Sequence, residues 1–316
     1  MRRDWIWLGL GIAIAVAAGY WSFQHIQPPP PAPQPAADAA APAAAAPPDR
    51  AQAELVWARG LQAQEQGNID EALAAFSAAL GYDSSFAEAD VSRGNALLSE
   101  QQYADAIQAY SDALTIDPDQ ADAYLGRATV HWLQGDLASA ETDFETLTSL
   151  RPDDMSYAVK YVTLLYDEGK KDKVLDYYNA QYQQDPSRDW VVAGLLGAVK
   201  ENAPDERQGY EACLARARQM WDAGTQSNAV MFAIGDSLAK LGQVADAIQW
   251  LAPLADKDPN EIAPDTINEL AGAYRLTNDQ GKCVATWRNY MQRMGRFDMF
   301  DEAKANTNCL PPAPAP

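Results

Sequence analysis

Side chains able to carry out acid–base, nucleophilic or metal chemistry are few in this chain and stand far apart. The two histidines are His25 and His131, so the chain cannot assemble a histidine-based metal site or proton relay. The three cysteines have no C-x-x-C spacing, and there is no phosphate-binding loop, no G-x-G-x-x-G and no G-x-S-x-G nucleophile elbow. We therefore expect a protein that is not an enzyme, with no catalytic residues, no metal and no cofactor.

The charge balance bears on the kind of partner. The chain has 44 acidic and 24 basic residues and a formal net charge of −20. Such a surface repels nucleic acid and anionic lipid headgroups, so it favours a basic or neutral protein as partner. The alternative is that the acidic surface serves only to keep the protein soluble.

Particular residue types recur along the middle of the chain with a period of 34 residues. The period separates a set of prolines and a set of arginines, namely Pro118, Pro152 and Pro186, and Arg59, Arg93 and Arg127. A period of this length indicates stacked supersecondary units in place of one globular core. Binding is therefore favoured over catalysis.

Four consecutive units cover residues 53–86, 87–120, 121–154 and 155–188, and we number the positions within a unit as places one to thirty-four. Place eight is small in three units, with Val162 as the exception, and a small or apolar residue at place twenty precedes an aromatic ring at place twenty-four by four residues. In chain order these residues are Gly60, Gly94 and Ala128, then Ala72, Ala106, Ala140 and Val174, then Phe76, Tyr110, Phe144 and Tyr178. Because residues four apart share one helix face, each unit is predicted to pack two helices through these places, with the proline ending the second helix.

This pattern resembles the tetratricopeptide repeat family, in which Gly or Ala at place eight, Ala at twenty, an aromatic at twenty-four and Pro at thirty-two recur. The resemblance covers about residues 53–297. It implies an all-α fold, a right-handed superhelical solenoid of about seven helix pairs. A sixth unit begins at Asn228 and a seventh near Pro264.

The fifth unit departs from the pattern. Taken from Trp190 to Ala223, it places Gly197 and Gly209 well but has Cys213 where an aromatic ring is expected. A hinge, a break in the superhelix and a further contact site all remain open for this unit. The predicted organisation of the repeats is four regular units over 51–188, a degenerate unit over 189–227, two further units over 228–297, and a capping segment with a Pro-rich tail over 298–316.

The amino end carries a second strong signal, an almost wholly apolar run over residues 5–23. About 19 residues at a rise of about 1.5 Å reach roughly 28 Å, enough to cross the hydrocarbon layer of a bilayer as one transmembrane helix. Arg2 and Arg3 precede the run, so a stub of residues 1–4 is predicted in the cytoplasm and the repeats on the other side of a bacterial inner membrane, in the periplasm. The alternative is a signal peptide cleaved after Ala17, which also exports the repeats.

Residues 24–50 are rich in Pro and Ala and are predicted to form an extended linker. In an oxidising compartment the cysteines can pair. On the repeat register Cys283 lies on a helix of the last unit and Cys309 in the segment that follows it. A disulfide between them would hold that segment against the end of the solenoid, whereas Cys213 is expected as a buried free thiol.

In this family the first helices of the units line a concave groove, and places two, five, nine, twelve and thirteen face it. The resemblance therefore assigns a partner-binding groove to an apolar and aromatic strip with a few polar members, namely Trp57, Leu61, Val91, Asn95, Leu98, Leu125, Thr129, Trp132 and Tyr166. A helical or extended apolar segment would suit such a lining. Some of these residues could instead pack neighbouring units together. The carboxylate clamp of the family's chaperone-binding members is absent, because Trp57 stands where that clamp has Lys.

The sequence thus predicts a non-catalytic adaptor, anchored in the inner membrane, that binds a segment of a partner protein in the periplasm during assembly, secretion or maturation. The alternative is a permanent accessory subunit of a larger membrane complex, docked through residues 5–23 and the repeat surface. Gly9, Gly11 and the alanines that follow them would let another helix approach closely.

Overall fold

The computed structural model describes residues 48–258, 261–262, 265–296 and 301–310. These residues form 15 helices and no strand. The predicted transmembrane run 5–23 and all but the last three residues of the predicted linker lie outside the described part. Within that part, no helix is both long and apolar enough to cross a bilayer.

The helices follow one another as seven pairs and a short last helix. In chain order they are α1 Pro48–Glu65, α2 Ile69–Tyr82, α3 Ala87–Ser99, α4 Tyr103–Ile116, α5 Ala121–Gln134, α6 Leu137–Leu150, α7 Met155–Asp167, α8 Lys171–Gln184, α9 Asp189–Glu201, α10 Glu206–Asp222, α11 Asn228–Lys240, α12 Val244–Ala255, α13 Asp265–Leu276, α14 Gln280–Arg293 and α15 Glu302–Asn308. Each helix packs on the next, so the described residues form an all-α repeat solenoid. The first helix begins at Pro48, inside the range assigned to the linker, since proline suits the first turn of a helix.

The predicted contact between a small residue and a ring holds each of the first two pairs together. A Cβ built on Gly60 would lie 2.6 Å from the ring of Phe76, and one built on Gly94 would lie 2.6 Å from the ring of Tyr110. Both rings are fully buried. Glycine at place eight therefore allows the second helix to approach closely enough for the ring to lie on the backbone of the first.

The same rings also join neighbouring units, which the sequence pattern did not predict. A Cβ on Gly126 would lie 2.3 Å from Tyr110, and one on Gly194 would lie 2.2 Å from Tyr178. Both glycines stand at place six of the unit that follows the ring. Tyr110 is thus held between its own first helix and the first helix of the next unit.

The fifth unit is a complete helix pair, and its first helix keeps the 34-residue period. Its helix α9 begins at Asp189, and four residues separate α9 from α10, whereas three separate α7 from α8. The predicted start at Trp190 was therefore wrong by one residue for the first helix. The extra residue lies in the loop between α9 and α10, so it displaces only the second helix of the unit by one place. Gly197 consequently stands at place nine, where a Cβ would meet nothing within 4 Å, while buried Leu196 takes place eight.

The core continues through this unit without a break. One cluster of buried residues extends from Ala121 to Leu270. Cys213 lies in it as a buried free thiol, as predicted, and burial raises its pKa. In this unit the larger buried residue, Leu196, lies on the first helix and the smaller one, Cys213, on the second, which reverses the arrangement of the first three units.

The carboxyl-terminal end is closed by α15. Cys283 on α14 and Cys309 after α15 form the predicted disulfide, with Cα atoms 5.8 Å apart. Val284 and Ala305 are buried beside it. The disulfide therefore holds a short helix over apolar surface that the last unit would otherwise expose.

Two of the three periodic arginines form ion pairs within their units. Arg93 lies 2.8 Å from Asp90 and 2.9 Å from Asp112. Arg127 donates from Nε and Nη2 to the two carboxylate oxygens of Asp143, at 2.8 and 2.7 Å. Arg59 is exposed.

Two glycine substitutions test the packing account in opposite directions. Gly126→Ala should destabilise the protein by about 1–3 kcal/mol, because its methyl group overlaps the ring of Tyr110. Gly197→Ala should stabilise it by about 0.5–1 kcal/mol, since alanine favours the helix and meets no neighbour. Urea midpoints measured by circular dichroism separate the two, and a Gly126→Ala protein as stable as the wild type would contradict the account.

Candidate functional site

The predicted groove residues lie on the face of the first helices that the second helices leave uncovered. In α1, Ala53, Gly60 and Ala63 are buried, whereas Trp57 and Leu61 are half-buried. Consecutive first helices contact one another at α1–α3, α3–α5, α9–α11 and α11–α13. Their uncovered faces therefore adjoin from unit to unit in both halves of the solenoid.

Trp57 joins the first two units. Its Nε1 donates to Ser92 Oγ at 2.8 Å, and its ring centroid lies 5.5 Å from that of Phe86. Val91, also predicted for the groove, is only 7% exposed and belongs to the core between units. Trp57 thus presents part of a fixed ring at the surface, while Val91 offers little free surface.

Asn95 is the exposed polar member of the strip. Its Oδ1 accepts a hydrogen bond from the Tyr110 hydroxyl at 2.7 Å. Burial raises the pKa of Tyr110, so this hydroxyl stays a donor. Leu98 is half-buried against the same core. The side-chain oxygen of Asn95 is therefore engaged by a hydrogen bond within its own unit.

The strip continues in the third and fourth units with half-buried residues. The Trp132 ring packs edge-on against Phe144, with centroids 6.1 Å apart. Thr129 donates its hydroxyl to the carbonyl oxygen of Leu125 at 2.7 Å, and both side chains are half-buried. Burial raises the pKa of Tyr166 to about 12, so its hydroxyl is neutral.

Leu133 is a strip residue that the sequence prediction omitted. It stands beside Trp132 at place thirteen and is 61% exposed, the largest exposure among the large apolar side chains described. Place thirteen is also a groove-facing place in this family, so the repeat register contained the signal. We call Trp57, Leu61, Leu98, Leu125, Trp132, Leu133 and Tyr166 the apolar strip.

In units five to seven the uncovered face of the first helices carries glycines and a carboxylate at positions where the earlier units have uncharged side chains. Gly197 on α9 and Gly272 on α13 both stand mid-helix, and a Cβ on either would meet nothing within 4 Å. Asp236 on α11, between them, is half-buried. Burial is the main cause that raises the pKa of Asp236 to about 6, the Glu269 carboxylate adds to the rise, and Lys240 and Lys200 oppose it.

Family profiles match the middle of the chain. A profile described as TPR repeat matches residues 94–135, and a profile described as Tetratricopeptide repeat matches residues 117–154. The matched residues fall in the second and third units. No curated protein sequence matches the chain.

Three solved structures illustrate the similarity. The Arabidopsis OM64 TPR domain is 22% identical over 37% of this chain and 96% of that one, with a TM-score of 0.35. The second TPR domain of human RPAP3, in complex with the HSP70 peptide SGPTIEEVD, is 24% identical over 37% of this chain and 97% of that one, with a TM-score of 0.35. A tetratricopeptide repeat protein from Parabacteroides merdae is 11% identical over 82% of this chain and 99% of that one, with a TM-score of 0.41.

Asp236 gives a pH-dependent prediction. Its pKa of about 6 lies above the ordinary value of 3.8, so ionising it costs stability, fully above about pH 6 and less as the pH falls toward 4. Asp236→Asn removes this cost and should raise the urea midpoint at pH 7.5 more than at pH 4.5. The control is Asp246→Asn, at an exposed position on α12. An equal change at both pH values would contradict the prediction.

Proposed function

We propose that this chain, in which residues 94–154 match tetratricopeptide repeats, is a non-catalytic adaptor whose first helices bind a segment of a partner protein. Such repeats generally mediate protein–protein interaction through extended concave surfaces. The observation that carries the proposal is the apolar strip. Its members share the uncovered face of successive first helices, and all of them except Leu133 pack against the buried cores of the repeats.

The strip suits binding because its side chains are already held in position. Trp57 is fixed by the hydrogen bond to Ser92, and Trp132 by the edge-on contact with Phe144. Side chains fixed before binding lose little conformational entropy when a partner arrives. Half-buried aromatic rings of this kind are typical anchors for an apolar partner segment.

The location of the repeats is part of the proposal. Residues 5–23 would anchor the chain in a bacterial inner membrane, and residues 24–47, which precede α1, would hold the repeats in the periplasm. About 24 residues of polyproline-like chain at roughly 3.1 Å each give a reach of up to about 75 Å. The Cys283–Cys309 disulfide supports this location, because disulfides persist in oxidising compartments.

Photo-crosslinking from the groove tests the adaptor function. A photoreactive amino acid replacing Leu133 or Thr163 should give adducts of defined mass with a partner in intact cells, because both positions are exposed on first helices. The matched controls are Thr115 and Thr142, which are exposed on second helices. Thr142, like Thr163, donates its hydroxyl to the carbonyl oxygen four residues earlier.

The expected result is adducts from the two groove positions and none from the two controls. The same adducts from all four positions would show that the partner does not use the groove. No adducts from Leu133 and Thr163, in cells where the full chain is present and folded, would contradict the adaptor proposal for this surface.

The redox state of the cysteines tests the location. When intact cells are quenched with acid and alkylated, a peptide map should show Cys283 bonded to Cys309 and Cys213 as a free thiol. Replacing residues 1–23 with a start codon should leave the repeats in the cytoplasm and the two paired cysteines reduced. Free thiols at Cys283 and Cys309 in the full chain would contradict export.

A further inference from the structure

The acidic charge of this protein is concentrated in the first three units. Residues 53–154 carry 19 acidic and four basic side chains. Three exposed acids stand at place two, in the first turns of the first helices or close to them: Glu54, Glu88 and Asp122. Because residues three and seven apart share a helix face, these acids lie on the same side as Trp57 and Leu61 and form an acidic rim along the apolar strip.

The chain itself shows how this rim holds a cation. Arg50 lies with Nε 3.0 Å from Glu54, Nη1 3.1 Å from Asp83 and Nη2 3.6 Å from Glu88. Its guanidinium carbon is 3.7 Å from the ring centroid of Phe86. Two rim acids and the turn acid between them therefore bind one guanidinium.

The 34-residue repeat copies this acceptor set without the arginine. Thirty-four residues after Glu54, Asp83 and Glu88 come Glu88, Asp117 and Asp122, so the two sets share Glu88, whose carboxylate lies 3.6 Å from Arg50. By sequence register Ser84, in the turn before α3, takes the position of Arg50. The turn is copied as well, since Asp83 Oδ1 accepts from the Ser85 amide at 2.9 Å and Asp117 Oδ1 from the Asp119 amide at 3.1 Å. The Asp117 carboxylate is thus held in its turn as that of Asp83 is.

One feature of the first set is not copied. Gln120 takes the position of Phe86, so the second set lacks the ring on which the Arg50 guanidinium stacks. Charge and hydrogen bonding alone would hold a cation there, and lysine would serve as well as arginine.

We propose that Glu88, Asp117 and Asp122 bind a lysine or arginine side chain of the partner segment, whose apolar side chains lie on the neighbouring strip. The proposal rests on the adaptor function and gives its partner a chemistry, a basic amphipathic segment. The strip supplies contact area through Leu98, Leu125 and Leu133, while the rim sets the direction and register of the segment.

The rim is exposed, which determines how its contribution should behave. Exposed charge pairs are weak individually and are screened by salt. The rim should therefore change affinity severalfold and make binding depend on ionic strength, whereas loss of the strip should reduce binding at every salt concentration.

The test uses the full chain in a non-ionic detergent and three labelled peptides of equal length. One alternates lysine and leucine with helical spacing, one has glutamate for lysine, and one has serine for leucine. Binding is measured by fluorescence anisotropy at 50 and 300 mM salt, with protein-free micelles as the blank. The rim variant is Asp117→Asn with Asp122→Asn, which keeps side chains able to accept the turn hydrogen bond.

The control variant is Asp70→Asn with Glu71→Gln, which removes two acids from the first turn of α2. The lysine–leucine peptide should bind, the rim variant should bind it about three- to tenfold more weakly at 50 mM salt, and the control variant should match the wild type. The difference between rim variant and wild type should shrink at 300 mM salt.

Three results would overturn the proposal: equal affinity of the rim and control variants, binding of the glutamate peptide as tight as that of the lysine peptide, or a loss in the rim variant that does not change with salt. The variant Leu133→Ser distinguishes failure of the rim proposal from failure of the adaptor function. If Leu133→Ser weakens binding and the rim variant does not, the groove function stands and the rim proposal is wrong.

Discussion

The close contact between a large buried side chain on a second helix and a glycine of an adjacent first helix is the constraint on which the repeat packing depends. Tyr110 touches the backbone at both Gly94 and Gly126, so one side chain sets the spacing within a unit and between units. Any added methyl group would force helices apart, since interiors are close-packed. In the fifth unit the sizes are reversed, since Leu196 takes place eight and Cys213 takes the place of the ring, and both are buried.

This packing also determines where a partner can bind. The first helices pack against the second helices through the face that carries place eight, so their opposite face has no second helix over it. That face holds Trp57 and Trp132 partly exposed, with their inner edges hydrogen-bonded or packed against the core. The proposed binding surface therefore follows from the way the helices pack in each repeat. The buried cores that stabilise the fold also fix the orientation of the aromatic side chains on this surface. In the proposed function, the acidic rim along the strip selects a basic partner segment.

Much of the fold followed from the sequence because the 34-residue period is local and repeated. The helix pairs, the small-to-large contact and the Cys283–Cys309 pairing could all be predicted from register. The second contact of Tyr110, on Gly126, could not, because it depends on how adjacent units stack. The loop before α10 is one residue longer than in the preceding unit, so a register aligned on the second helix assigned Gly197 to the packed place eight, whereas it stands at place nine. Asp236 and the contacts of Arg50 were missed because they involve charges that only the fold brings together.

The central claim is that the repeat surface, independently of any membrane segment, binds the partner. The most direct measurement compares two affinity purifications in mild detergent, one with the full chain from its own membranes and one with residues 48–316, which begin where α1 begins. The account predicts that the same partner copurifies with both, in similar yield. A partner retained only by the full chain would contradict the account and assign association to the residues before Pro48, as expected for a subunit docked through its membrane segment.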